Sequence, residues 1–150
     1  MEKKFELTDK FVFNTFGIKL FQIKCTKSFK YAKEGDLGGY VEKDENLDQE
    51  SDAWVSGNAR VSGNAWVYGN ADIENDNNHC GFDCFGSCNR HTHAYLTKDN
   101  KVEITCGCFR GSIEEFEKKV EGTHSGTIYE KQYKAIINVI KIKFGLTDLI

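Results

Sequence analysis

The chain has 150 residues, with 20 basic against 23 acidic side chains for a formal net charge of -3, and it is 39% apolar and 13% aromatic. That length suits one or two compact domains and excludes a multi-domain machine, while a mean hydropathy of -0.53 without any long apolar run excludes a membrane-spanning helix. Lysines alternate with acids instead of forming a basic block, so direct nucleic-acid binding is not expected.

From the start, Met1-Glu2-Lys3-Lys4 leads straight into Phe5-Glu6-Leu7 without the apolar stretch of a secretion signal, which predicts a cytoplasmic protein. In that reducing setting the six cysteines are expected as thiols or metal ligands, not disulfides. Phe5-Glu6-Leu7, Phe11-Val12-Phe13 and Gly17 to Lys24 alternate apolar and polar residues, the pattern of half-buried strands in a lead-in hairpin that caps the middle of the chain.

A repeat dominates that middle. From Ala53 to Asp76 four six-residue units agree in phase, each with a small residue two places before a β-branched one (Val55, Val61, Val67, Ile73), and the first three end in Gly-Asn. Val41 and Leu47 extend the series upstream. This period predicts a short left-handed β-helix: the β-branched side chains point inward, Ala keeps the interior narrow, and Gly-Asn turns the corners. About two coils are too few to stand alone, so caps or self-association must cover the ends.

Glu74-Asn75-Asp76-Asn77-Asn78 reads as a junction, which divides the chain into residues 1–76, strands plus β-helix, and residues 77–150, a small α+β module. In the module, His93 to Thr97 and Val102 to Cys106 predict a β-hairpin around Lys98-Asp99-Asn100-Lys101, with a further strand near Cys84 to Ser87. Ser112-Ile113-Glu114-Glu115 is a capping box opening a helix with Ile113, Phe116 and Val120 on one face, expected to stop at Gly122. A last helix over Thr127 to Phe144 carries Ile128, Tyr133, Ile136, Ile137, Ile140 and Phe144 on one stripe and ends at Gly145. The fold class is therefore mainly β with α: a short β-helix preceded by strands and followed by an α+β module with two C-terminal helices.

The segments Phe21-Gln22-Ile23-Lys24-Cys25, Gly35-Asp36-Leu37-Gly38-Gly39-Tyr40-Val41-Glu42 and Glu45-Asn46-Leu47, followed by the Gly-Asn-Ala hexapeptides, resemble phage and prophage proteins of the hexapeptide-repeat type. Cys106-Gly107-Cys108-Phe109-Arg110-Gly111, with Glu114-Glu115-Phe116, Val120, His124 and Tyr133, is similar to a small C-terminal domain carried by many phage proteins. The resemblance implies a viral accessory protein acting in a bacterial host and carries no established chemistry. This chain departs from the tail family at Cys88, His91 and His93, where that family has a basic residue and small hydroxyl residues.

Three kinds of site present themselves. Cys80, Cys84, Cys88, His91, His93, Cys106 and Cys108, with His79 beside them, are the residue types that hold zinc, but their spacing lacks a Cys-x2-Cys knuckle. Cys106 and Cys108 are expected on one strand with both thiols on the same face. Burial beneath the helices is the stronger expectation for both, so zinc is a possible cofactor and none is required. Acyl transfer, known in other hexapeptide-repeat proteins, lacks a histidine within the repeats to serve as base. Trp54, Arg60, Trp66 and Tyr68 occupy outward positions of the repeat and are the types that anchor interfaces, which predicts a homo-oligomer or a partner-binding surface. The leading expectation is a non-catalytic phage-encoded accessory protein that binds a host protein complex and inhibits a defence system such as a CRISPR effector. The alternatives are an acyltransferase-like enzyme and a structural or virion oligomer.

Overall fold

The computed structural model describes residues 2–146. It opens with an antiparallel hairpin of β1 (Phe5–Phe13) and β2 (Lys19–Cys25), in register from Phe5↔Cys25 to Phe13↔Lys19 with an irregularity between Leu7 and Phe11. Phe5, Ile23 and Cys25 are buried in the first core, Leu20 is buried on the other face of β2, and Phe11 and Phe13 are exposed. β3 (Leu37–Val41) pairs antiparallel to β2. Its Gly38 and Gly39 are a steric necessity: a Cβ on Gly38 would stand 2.6 Å from Ile23 Cγ1 and 2.7 Å from the Val55 carbonyl, and one on Gly39 2.7 Å from Val55 Cγ1. Glycine lets this strand lie directly against the layer above it.

The expectation of a left-handed β-helix fails. The six-residue units yield β4 (Trp54–Val55), β5 (Arg60–Val61) and β6 (Asp72–Ile73), each two residues long. β4 pairs parallel to β6, β5 pairs parallel to β3, and Leu47 meets Val67 in an isolated parallel bridge. No solenoid forms. A solenoid is a sum of neighbour interfaces, and here each short pair has one partner only. On one side, β3 is claimed by the antiparallel sheet, giving the order β1-β2-β3-β5. The inward pattern still determines packing: Val55, Val61, Val67 and Ile73, with Ala53, Ala59, Ala65 and Ala71, are all buried. Asn46 is buried with them, accepting from the amides of Glu42 and Lys43 and donating to the carbonyls of Gly63 and Ala65 at 2.9–3.2 Å.

The C-terminal half is a four-stranded antiparallel sheet of β7 (His79–Phe85), β8 (Arg90–Leu96), β9 (Val102–Cys106) and β10 (Phe109–Ser112), in the order β10-β9-β8-β7. The expected two-stranded hairpin is its centre. Helices α1 (Ile113–His124) and α2 (Ile128–Lys143) cover one face. The capping box forms as read: the Ser112 hydroxyl accepts from the Glu115 amide at 3.1 Å, and Glu115 accepts from the Ser112 amide at 3.0 Å. Gly122 does not stop α1, which continues to His124, because a single exposed glycine costs less than breaking a helix docked by Phe116 and Val120. Cys106 and Cys108 do not share a strand: Phe109 pairs with Cys106, so Gly107 and Cys108 form the two-residue turn, with Gly107 at φ +58°.

There are two cores, and β8 divides them. Tyr95 belongs to the first, with Phe5, Ile23, Val41, Leu47, Trp54 and the repeat valines, while its neighbour Ala94 belongs to the second, with Ile104, Phe116, Tyr133, Ile136, Ile137 and Ile140. Successive side chains of a strand point to opposite faces, so one strand serves both. Among the described residues no helix is long and apolar enough to cross a membrane.

Candidate functional site

A cleft of about 330 Å³ lies between α1, Tyr133 of α2 and the end of the C-terminal sheet that carries the β7–β8 and β9–β10 turns. Its floor is the second core. Phe116 meets Phe109 at 5.2 Å between ring centroids and Tyr133 edge-on at 5.5 Å, and His124 stacks on Tyr133 at 5.7 Å. Cys106 lies beneath, its Sγ accepting from the Thr92 hydroxyl at 3.3 Å and standing 3.7 Å from the Tyr133 hydroxyl. Burial, then the contact with Cys106, pushes the Tyr133 phenol up, which keeps it protonated at neutral pH. Two turns build the mouth. Gly86 (φ +80°) leaves room for the Tyr133 hydroxyl where a Cβ would overlap it, and its amide donates to the Gln132 side chain at 2.9 Å. Gly107 likewise makes space for the Arg90 guanidinium.

The chemistry of the rim is one-sided. Arg90, Lys119 and His124 line the cleft, and no Asp or Glu is among its described lining residues, in a chain whose net charge is -3. An apolar floor under the cationic Arg90 and Lys119, with the His124 ring beside them, suits a ligand with an apolar body and a carboxylate. The exposed thiols of Cys88 and Cys108 complete the lip.

No family model, curated protein or solved structure matches the chain. The likeness to phage proteins rests on the sequence segments alone.

The outward residues of the repeat are placed differently from expectation. Trp54 is buried, not exposed: Phe29, at the bend that bridges to Ala32, packs edge-on against it at 5.4 Å. Trp66 and Tyr68 are half-buried and lie 4.7 Å apart between ring centroids. The C-terminal sheet covers them, with Arg110 over the Tyr68 ring at 4.7 Å and the Thr105 hydroxyl donating to the Trp66 carbonyl at 3.0 Å. Arg60 alone of the four is exposed. The chain's own residues cover part of this face, Phe29 over Trp54 and the C-terminal sheet over Trp66 and Tyr68.

The cysteines and histidines separate by strand parity. Cys80 and Cys106 point toward the helices, while His79, His91 and His93 point the other way, toward the repeat; Cys84, Cys88 and Cys108 are exposed. Among the described residues no three His, Cys, Asp or Glu side chains gather as a metal-ligand set. The three histidines bond to one another instead: His79 Nδ1 lies 2.9 Å from His93 Nε2, and His93 Nδ1 lies 2.9 Å from His91 Nε2. Asp76 closes one end at 3.0 Å from His79 Nε2, and Asp83 the other at 2.6 Å from His91 Nδ1. Sequence reasoning missed this chain of rings. A signal existed: Ile73-Glu74 to Asn78-His79 echoes Val41-Glu42 to Asn46-Leu47, both around a capped 3-10 turn, so His79 occupies the slot of a core leucine.

Proposed function

We propose that this protein works by binding, and that the cleft under α1 receives an apolar side chain bearing or flanked by a carboxylate on a partner protein. The observation that carries this reading is the pairing of a Phe109–Phe116–Tyr133 floor with Arg90, Lys119 and His124 and with no carboxylate on the described lining. About 330 Å³ accommodates one aromatic side chain with its acid group. The resemblance to phage proteins supports a partner in the cytoplasm of a bacterial host, such as a component of a defence complex, and supports a role as a phage accessory protein. Nothing in this reading needs a bond to be made or broken.

N-acetylphenylalanine and its amide test the cleft. The acid has about 15 non-hydrogen atoms, and at roughly 0.3 kcal/mol per atom it should bind near the millimolar range. Two-dimensional NMR should show the acid perturbing Phe116, His124 and Tyr133 and the amide binding at least tenfold more weakly. Lys119→Glu should abolish the preference for the acid and release any host protein that the native chain retains. Equal binding of acid and amide, or none of either, overturns the reading.

A further inference from the structure

The histidine chain lies outside the cleft, on the opposite face of the sheet, and the proposed function does not use it. Its ring nitrogens pose a counting problem. Five groups, Asp76–His79–His93–His91–Asp83, make four contacts of 2.6–3.0 Å, and each contact is a hydrogen bond only if it holds one proton. Three neutral imidazoles bring three protons. With both carboxylates ionised, one contact would set lone pair against lone pair.

We propose that these five residues form a binding site for a single proton, held in excess of three neutral imidazoles and shared between the two ends of the chain. Four protons fill all four contacts in three ways; one makes the buried His93 the imidazolium, which its burial disfavours, and two place the charge on an end ring. In one, His91 is the imidazolium, donating Nδ1–H to Asp83 and Nε2–H to His93 Nδ1, while His93 donates Nε2–H to His79 Nδ1 and His79 donates Nε2–H to Asp76. In the other, His79 is the imidazolium, donating to Asp76 and to His93 Nε2, while His93 donates Nδ1–H to His91 Nε2 and His91 donates to Asp83. Two short proton hops through His93 interconvert them, and no bond between heavy atoms forms or breaks. A fifth proton has no contact to occupy.

The surroundings agree with that count. His93 is buried between its two neighbours, and burial first, then His79 and His91, hold it well below the ordinary imidazole range, so the central ring stays neutral. Burial raises the Asp76 carboxyl, but the hydrogen bonds from His79 and from the Arg60 amide at 2.8 Å outweigh it and leave Asp76 below the usual range. Both aspartates have side chains 58% exposed, so each end meets solvent while the middle does not. The other charged groups nearby come from three elements and the segment after β3. Arg60 lies on β5; Lys143 on α2 donates to the Asp76 carbonyl at 3.3 Å; Arg90 adjoins His91 on β8; and Glu42, just past β3, accepts from the Gly63 amide, close to Asp83. Across β9, His93 faces the neutral Thr105. Gly81 makes the stack possible, since a Cβ there would stand 2.7 Å from both His91 Cε1 and His93 Nδ1.

Long-range 1H–15N NMR of the uniformly labelled native protein between pH 5 and 8.5 counts the ring protons directly. The expected result is four protons on the three rings at the acid end, falling to three through one shared titration. His93 stays neutral throughout, and the imidazolium fractions of His79 and His91 sum to one below the midpoint. Asp83→Asn, at an exposed end, should keep the fold, move the midpoint to lower pH, and place the whole imidazolium on His79. Three ring protons at every pH, or three independent titrations reaching six protons, overturns the proposal. So does one equivalent of zinc bound through these nitrogens in the native protein.

Discussion

Lys4 shows how a single residue couples the two ends of the first core. Its ammonium is buried and donates to the carbonyls of Ser51 and Ala53, and it sits 4.8 Å from the Phe29 ring centroid. Burial lowers its pKa to about 8, with Asp48 and Asp52 pulling the other way. Between about 8 and the ordinary lysine value of 10.5 the unfolded chain therefore holds the proton that the folded chain has released. By linkage, the contribution of Lys4 to stability rises with pH across that window and is flat below it. Denaturant midpoints at pH 7, 8.5 and 10 should show this rise, and Lys4→Met should remove it. Nothing in the sequence marks Lys4 apart from its neighbour Lys3, which is exposed and pairs with Asp44. The difference lies in the bend before β1, which turns Lys4 onto the Ser51 and Ala53 carbonyls, a layer that the sequence does not place. The histidine chain is hidden for the same reason: His79 is near His93 only once β7 pairs with β8.

Among the elements, those whose signals are local are the most legible. The Ser112 to Glu115 box marks the start of α1 because its two hydrogen bonds span three residues, and Gly145 at φ +69° closes the last helix as expected. Ser112→Ala should cost about 1 kcal/mol in a urea melt, the usual worth of such a cap, and leave the cleft in place. The end of α1 departs from expectation because Gly122 carries only a propensity, and docking of Phe116 and Val120 overrides it. β10 escapes a sequence reading because the Cys106 to Phe109 turn places Gly107 first and a cysteine second, which reads as a sheet residue until the register is known. The six-residue period is real, and its inward Val and Ala positions are buried, yet the winding inferred from it does not follow. Periodicity dictates which side chains go inside, whereas strand partners depend on what else lies at an edge, and here β3 pairs with β2 on one edge and β5 on the other.

For the whole molecule, the cleft could not be drawn from the sequence. Its floor combines Cys106, Phe109, Phe116 and Tyr133 from a strand, a strand and two helices, and its rim borrows Arg90 from a third strand. The two cores meet at β8, so their stabilities are expected to be linked. Tyr95 is fully buried in the first core, and its hydroxyl donates to Glu103 at 3.0 Å on the neighbouring strand. Tyr95→Ala should cost roughly 3–5 kcal/mol, in the range for removing a buried aromatic ring. Calorimetry should show that loss as a shift of one transition; two separated transitions would show that the halves melt independently.

Since β8 is a party wall, neither tenant can be evicted without leaving the other roofless. A piece severed after Asp76 would expose the bed that Tyr95 fills, and the remaining tail would bare Tyr95 together with the imidazole row. The same sharing gives the wall two listeners: an occupant that tilts β8 from the helix side also shifts His91 and His93 on the other, so filling the cleft should be audible in the histidine resonances on the face of the sheet that the ligand does not touch.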